Sequence, residues 1–139
     1  MVRVDKMITP EGDVSLVDLT THQRENIAMH FCLTGQYTPQ ALNAIMDNPT
    51  VSRYDAAKKL IEAAGGKLIS MYSTPADGPG VLVIIDVTEP SAAAAITGVV
   101  VASGALHHVK LTRLLTQDEV MHVRQKASQL RGVYKAPGK

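Results

Sequence analysis

The sequence predicts an α+β fold, in which one antiparallel sheet of four strands carries helices on a single face. Three observations predict it. Apolar spacing switches repeatedly between a period of two, as in MHFCLT, and a period of three to four, as in the segment from Val51 to Ala64. Glycine, proline and asparagine stand at the switches. Two strand-like runs, KLISMYST and VLVIIDV, are joined by the short turn PADGPG, which suits an antiparallel pair and not a parallel crossover.

Each element follows from its own residues. In AMHFCLTGQY (28–37), Met29, Phe31 and Leu33 alternate with His30, Cys32 and Thr34, so a half-buried strand is expected. Thr38 then stands where an N-cap belongs, and Pro39 takes the first helical position, where its missing N–H costs nothing. Leu42, Ile45 and Met46 give a short helix its apolar stripe, and Asn48-Pro49 stops it. A second helix carries Val51, Tyr54, Ala57, Ile61 and Ala64 inward and ends at Gly65-Gly66. KLISMYST (67–74) alternates again, with Ile69 and Met71 expected on the apolar face and Leu68, Ser70 and Tyr72 opposite. VLVIIDV (81–87) is apolar on both faces, as expected of an inner strand covered on each side.

Pro90 opens the helix SAAAAITGVVVASG, which Gly104 closes, and LHHVKLTRL (106–114) is the fourth strand. Thr116 with Glu119 forms a capping-box pattern and starts a last helix, with Val120, Val123, Ala127 and Leu130 expected inward. The resulting β-α-β-β-α-β order is that of a ferredoxin-like unit, spanning residues 28–132 with its C-terminal helix. Residues 1–27, in which Pro10 and Gly12 mark a turn between two short strand-like runs, are expected to be an N-terminal arm or hairpin, or equally a disordered leader, and 133–139 a flexible tail.

Bulk properties bound the function. A chain of 139 residues suits one domain, and its net charge of +1 gives no electrostatic footprint for nucleic acid. The cations Arg124, Lys126, Arg131, Lys135 and Lys139 read as a solvated helix face and tail. The single cysteine, Cys32, precludes an internal disulfide and suits a reducing compartment. MVRVDKMITPEGD interleaves charged and apolar residues, so neither a secretory signal nor a membrane anchor is expected, and the expected location is cytoplasmic.

Four segments, GQYTPQAL, AAKKLIEAAGGKLISMY, VLVIIDV and ASGALHHVKLTRLLTQDEV, together resemble the GYD-domain family over about residues 28–122. The most specific parts are the Tyr37-Thr38-Pro39 turn and the Leu114-Leu115-Thr116 helix entry. The family's Gly-Tyr-Asp signature departs here, where GPGV places Gly80 and Val81 at the tyrosine and aspartate positions. The resemblance implies a dimeric α+β barrel, with the open sheet faces of two subunits enclosing a cavity. Relatives of that fold include cofactor-free monooxygenases, isomerases, dehydratases and haem-handling enzymes, and fold alone does not choose among them. The open face itself calls for a cover, which a second copy of the chain would supply as a homodimer or higher homo-oligomer.

The doublet His107-His108 is the most conspicuous titratable pair. On a regular strand its members point to opposite faces, His107 toward the helices with Val109 and Leu111, and His108 to the open face with Lys110 and Thr112. The same alternation puts His30, Cys32 and Thr34, and Ser70 and Tyr72, on that open face, with Leu82 and Ile84 between them. Apolar walls holding a few polar groups are the lining of a small-molecule pocket. His108 or His30 is the expected general base, with Tyr72 or Lys110 steadying a developing anion and no cofactor required. Cys32, Thr34, Ser70, Asp86 and Thr112 are the expected substrate contacts, with Asp86 answering the charge of Lys110.

Three alternatives compete. His30, Cys32 and His108 could hold Zn²⁺ or another divalent ion, or one histidine could bind haem iron, but i, i+2 strand ligands without a CxxC or HxxxH frame are weak evidence for metal. Cys32 as a nucleophile yields to its reading as a small buried hydrophobe. The polar groups could also serve a non-catalytic small-molecule-binding or structural homo-oligomer. The favoured expectation is a small cofactor-independent isomerase, lyase or dehydratase acting by proton transfer on a small organic molecule, with no nucleic-acid or membrane partner.

Overall fold

The computed structural model describes residues 28–75 and 78–138. The expected arm at 1–27 lies outside them. The elements run β1 (Met29–Tyr37), α1 (Pro39–Asp47), α2 (Arg53–Ala63), β2 (Lys67–Thr74), β3 (Gly80–Val87), α3 (Pro90–Ala102), β4 (Leu106–Leu114) and α4 (Gln117–Leu130). The strands form one antiparallel sheet in the order β2-β3-β1-β4, the ferredoxin-like arrangement, with β1 and β3 inside.

Local chemistry sets the ends. Thr38 caps α1 by accepting from the Ala41 N–H at 3.1 Å, while its own hydroxyl donates to the Gly104 carbonyl at 2.7 Å, tying α1 to the turn before β4. Ser52 caps α2 through the Asp55 N–H. At the other end of α2, Gly65 adopts φ 82, and the Gly66 N–H returns to the Ile61 carbonyl at 2.9 Å. That is the paired hydrogen bonding of a Schellman cap, which requires a left-handed residue and so favours glycine. Gly80 is required for a different reason: a Cβ there would lie 2.1 Å from the Gly35 carbonyl oxygen, where β3 crosses close to β1.

The core sits between the sheet and helices α2 and α3. Phe31 and Leu33 from β1, Val81, Val83, Ile85 and Val87 from β3, and Leu106 from β4 meet Ile61, Ala93 and Ile96 from the helices. α2 lies over β2, and α3 spans β4, β1 and β3.

Three expectations need correction. Leu68, not Ile69, enters the core, because the register between β2 and β3 slips between Leu68 and Ser70. Ile69 is the extra residue of a β-bulge and is 45 % exposed, although Ser70 and Tyr72 keep their open-face positions. A second bulge interrupts β4, where His108 and Val109 together stand opposite Gly35. Finally, α4 buries no residue, and Val123 and Leu130 are 53 % and 54 % exposed. Its start is set by a complete capping box, and Arg113 pairs with Glu119 at 2.5 Å where the helix leaves β4. Its apolar stripe, however, does not meet this chain's core.

Candidate functional site

Pairing register arranges the open face as rows that cross the sheet. One row reads Lys67, Asp86, His30, Leu114; the next Ser70, Ile84, Cys32, Thr112; the third Tyr72, Leu82, Thr34, Lys110. Beyond the bulge, His107 stands opposite Gln36. Rows lie two residues apart, about 7 Å along the strands.

The first row holds the organised chemistry. His30 and Asp86 are direct cross-strand partners, and the His30 Nδ1 contacts the Asp86 Oδ1. Both side chains are partly covered, at 36 % and 21 % exposure. A carboxylate that accepts from Nδ1–H fixes the imidazole tautomer and leaves the Nε2 lone pair to act as a base. Strand pairing alone positions both residues, which therefore sit on rigid elements.

Asp86 thus partners His30 and not Lys110, which correction follows from register. Lys110 stands two rows along and on the edge strand, with Thr34 and Leu82 between it and Tyr72. Tyr72 is on the opposite edge strand, so the two groups expected to steady one anion are three strand spacings apart, about 14 Å. Cys32, Ser70 and Thr112 share the middle row with Ile84. Cys32, at the centre of that row, is a partly covered free thiol.

The histidine doublet is placed by its bulge, and alternation does not describe it. His108 has φ 52, the sole positive value at a non-glycine among the described residues. This left-handed turn cancels the alternation, so His107 does not face the helices; it sits with Gln36 on the open side. The two rings lie 4.4 Å apart, tilted at 50°. His108 belongs to no row and does not reach the first one, near the far end of β4. Among the described residues, no three His, Cys, Asp or Glu side chains gather as a metal-binding group.

Lys67 is the member of the first row that alternation left out. It is the first residue of β2 and pairs with Asp86, and only the register across three strands reveals it.

Glu119 adds a negative charge near this end of the sheet. The backbone N–H of Thr116 donates to its carboxylate at 3.0 Å and holds its pKa below the ordinary 4.5, with Arg113 contributing in the same direction against partial desolvation.

No helix among the described residues is long and apolar enough to cross a membrane. Comparison with curated proteins finds no match. The GYD domain family matches residues 31–123, from the third residue of β1 through the first half of α4. With a four-stranded antiparallel sheet backed by helices on one face and a profile match over most of its length, the chain belongs to the GYD domain family.

Proposed function

We propose that the protein is a small cofactor-independent enzyme that moves a proton on a small organic molecule, at a site on the open sheet face centred on His30. The observation that supports this reading is the contact of His30 Nδ1 with Asp86 across β1 and β3. His30 Nε2 takes a proton from an acidic C–H of the substrate, Asp86 stabilises the imidazolium that forms, and the same nitrogen returns the proton to a neighbouring atom. Lys67, in the same row, is the nearest cation in register to balance a developing enolate. Leu82 and Ile84 supply apolar wall, and Cys32, Thr34, Ser70 and Thr112 supply polar contacts further along the face. A second copy of the chain covers this face and closes the pocket, and a reducing, cytoplasmic location accords with the lone thiol of Cys32.

The test is proton exchange. Wild-type protein in D₂O, given a panel of small carbonyl compounds, exchanges one C–H for C–D in its preferred substrate, read by ¹H NMR. His30→Gln lowers that exchange by about 10² to 10⁴, the range of a general base. Asp86→Asn lowers it by a smaller factor, and His108→Asn leaves it unchanged. Exchange that survives in His30→Gln rejects the assignment.

A non-catalytic homo-oligomer that binds a small molecule is the second reading. It is favoured by the exposed apolar stripe of α4, where Val123 and Leu130 are each more than half exposed. Native mass spectrometry that gives an oligomer carrying a ligand, with no exchange on any compound of the panel, selects this reading.

A further inference from the structure

The opposite side of the sheet carries an opening that the proton-transfer reading does not use. Between α2 and α3 an apolar crevice of about 120 Å³ runs down to the sheet, floored by Leu33 and Val83 and walled by Leu60 and Val100. Ala56 and Ala57, whose side chains are single methyl groups, line it from α2. Two wider hollows, of about 420 and 280 Å³, open beside it toward the β2 edge and toward α1. Tyr37 and Arg53 line all three.

We propose that this crevice binds a small organic anion: an apolar body in the slot and a carboxylate at Arg53. The slot is almost wholly hydrocarbon, so an apolar body would gain from leaving water there. Among the lining side chains of the crevice, Arg53 is the one that carries a formal charge, and Tyr37 the one that carries a hydroxyl. Neither forms an ion pair or a side-chain hydrogen bond among the described residues. A guanidinium presents a planar fork that matches a carboxylate with two parallel hydrogen bonds. Asp55, the nearest acidic residue in sequence, lies two positions along α2 and so about 200° round the helix from Arg53.

The positions of both polar residues are fixed by the backbone. Tyr37 closes β1, where its N–H donates to the Pro79 carbonyl at 2.9 Å, and Thr38 ties the following turn to Gly104. Arg53 is the first residue of α2, directly after the Ser52 cap. The mouth of the crevice is therefore built on element ends that are held in place, and the variable part of recognition is the length of the apolar body.

Methyl NMR of the full chain, titrated with octanoate and separately with octan-1-ol, tests the proposal. Octanoate should produce saturable shifts at the methyls of Leu60, Val100 and Leu33, and bind about tenfold more tightly than octanol. Arg53→Gln, a change at an exposed position, should abolish that tenfold preference while leaving octanol affinity as it was. Ala56→Leu, also at an exposed position, should plug the mouth and weaken both probes. The absence of saturable shifts in the full chain overturns the proposal. So does a set of shifts confined to the open face, or an octanoate preference that persists in Arg53→Gln.

Discussion

The two faces of the sheet are built from the same strands and differ in almost every other respect. Along β3, Val83, Ile85 and Val87 are at most 7 % exposed beneath the helices, whereas Leu82, Ile84 and Asp86, interleaved with them, remain partly open. Along β1 the same division separates Phe31 and Leu33 from His30, Cys32 and Thr34. The covered face is held by apolar packing, and its substitutions should act through stability. The open face carries the titratable groups, and its substitutions should act through chemistry or assembly. Alternation of side chains lets one strand serve both purposes without compromise, because neighbours in sequence share a backbone but no environment.

The largest expected difference comes from two adjacent isoleucines. Ile85→Ala empties a site that is 1 % exposed and should cost about 2–5 kcal/mol in chemical denaturation. Ile84→Ala, one residue away on the open face, should cost about 1 kcal/mol in the isolated chain. If a second copy covers that face, the cost of Ile84→Ala should rise and depend on protein concentration, which would sharpen the comparison into one between an internal core and an interface. Equal, concentration-independent costs at both positions would break it.

Next in size is Gly80→Ala. The added methyl would meet the backbone carbonyl of Gly35, which has no flexible side chain to yield, so a loss of about 1–3 kcal/mol is expected from thermal unfolding. A smaller gain is expected at His108. Glycine adopts the left-handed conformation that costs an L-residue about 1 kcal/mol, so His108→Gly should stabilise the fold modestly, and His108→Val should destabilise it.

The smallest effect belongs to α4. Thr116→Ala removes the cap, a change of about 1 kcal/mol for the helix, yet α4 buries no residue of its own. The amides of the first turn should therefore exchange faster while the global unfolding midpoint hardly moves. Glu119 adds a pH dependence of the same local kind. Its pKa is lower in the folded chain than the ordinary 4.5, so its stabilisation of the helix start is present above that value and is lost as pH falls through the folded pKa. Amide shifts of residues 117–120 between neutral and acidic pH report this directly, and Glu119→Gln should flatten them.

Much of the fold was legible in the residues. The alternation in β1, the Thr38-Pro39 and Thr116–Glu119 starts, and the Gly65-Gly66 stop are local signals, decided by hydrogen bonds within a few positions. Strand order followed from the sequence of elements, because short connections leave few antiparallel arrangements. Of the candidate site, membership of the open face was legible for His30, Cys32, Thr34, Ser70 and Tyr72. What was not legible was position along that face. Alternation assigns a side but carries no register, so it shows neither that the cross-strand partner of Asp86 is His30 and not Lys110 nor that Lys67 shares their row.

Both bulges escaped for a related reason. A bulge is a mismatch between two strands, fixed by what the partner strand presents, and neither KLISM nor LHHVK contains the glycine that would announce one. By itself, then, the sequence determined which segments become strands and helices, where they start and stop, and which residues are apolar enough to face a core. Only the tertiary structure decided that His30 meets Asp86, that the two histidine rings of β4 come together, and that α2 and α3 leave a crevice between them. Secondary structure is settled by interactions between neighbours in the chain. Register, bulges and cavities are settled by residues far apart in sequence, whose contacts exist only once the sheet has closed.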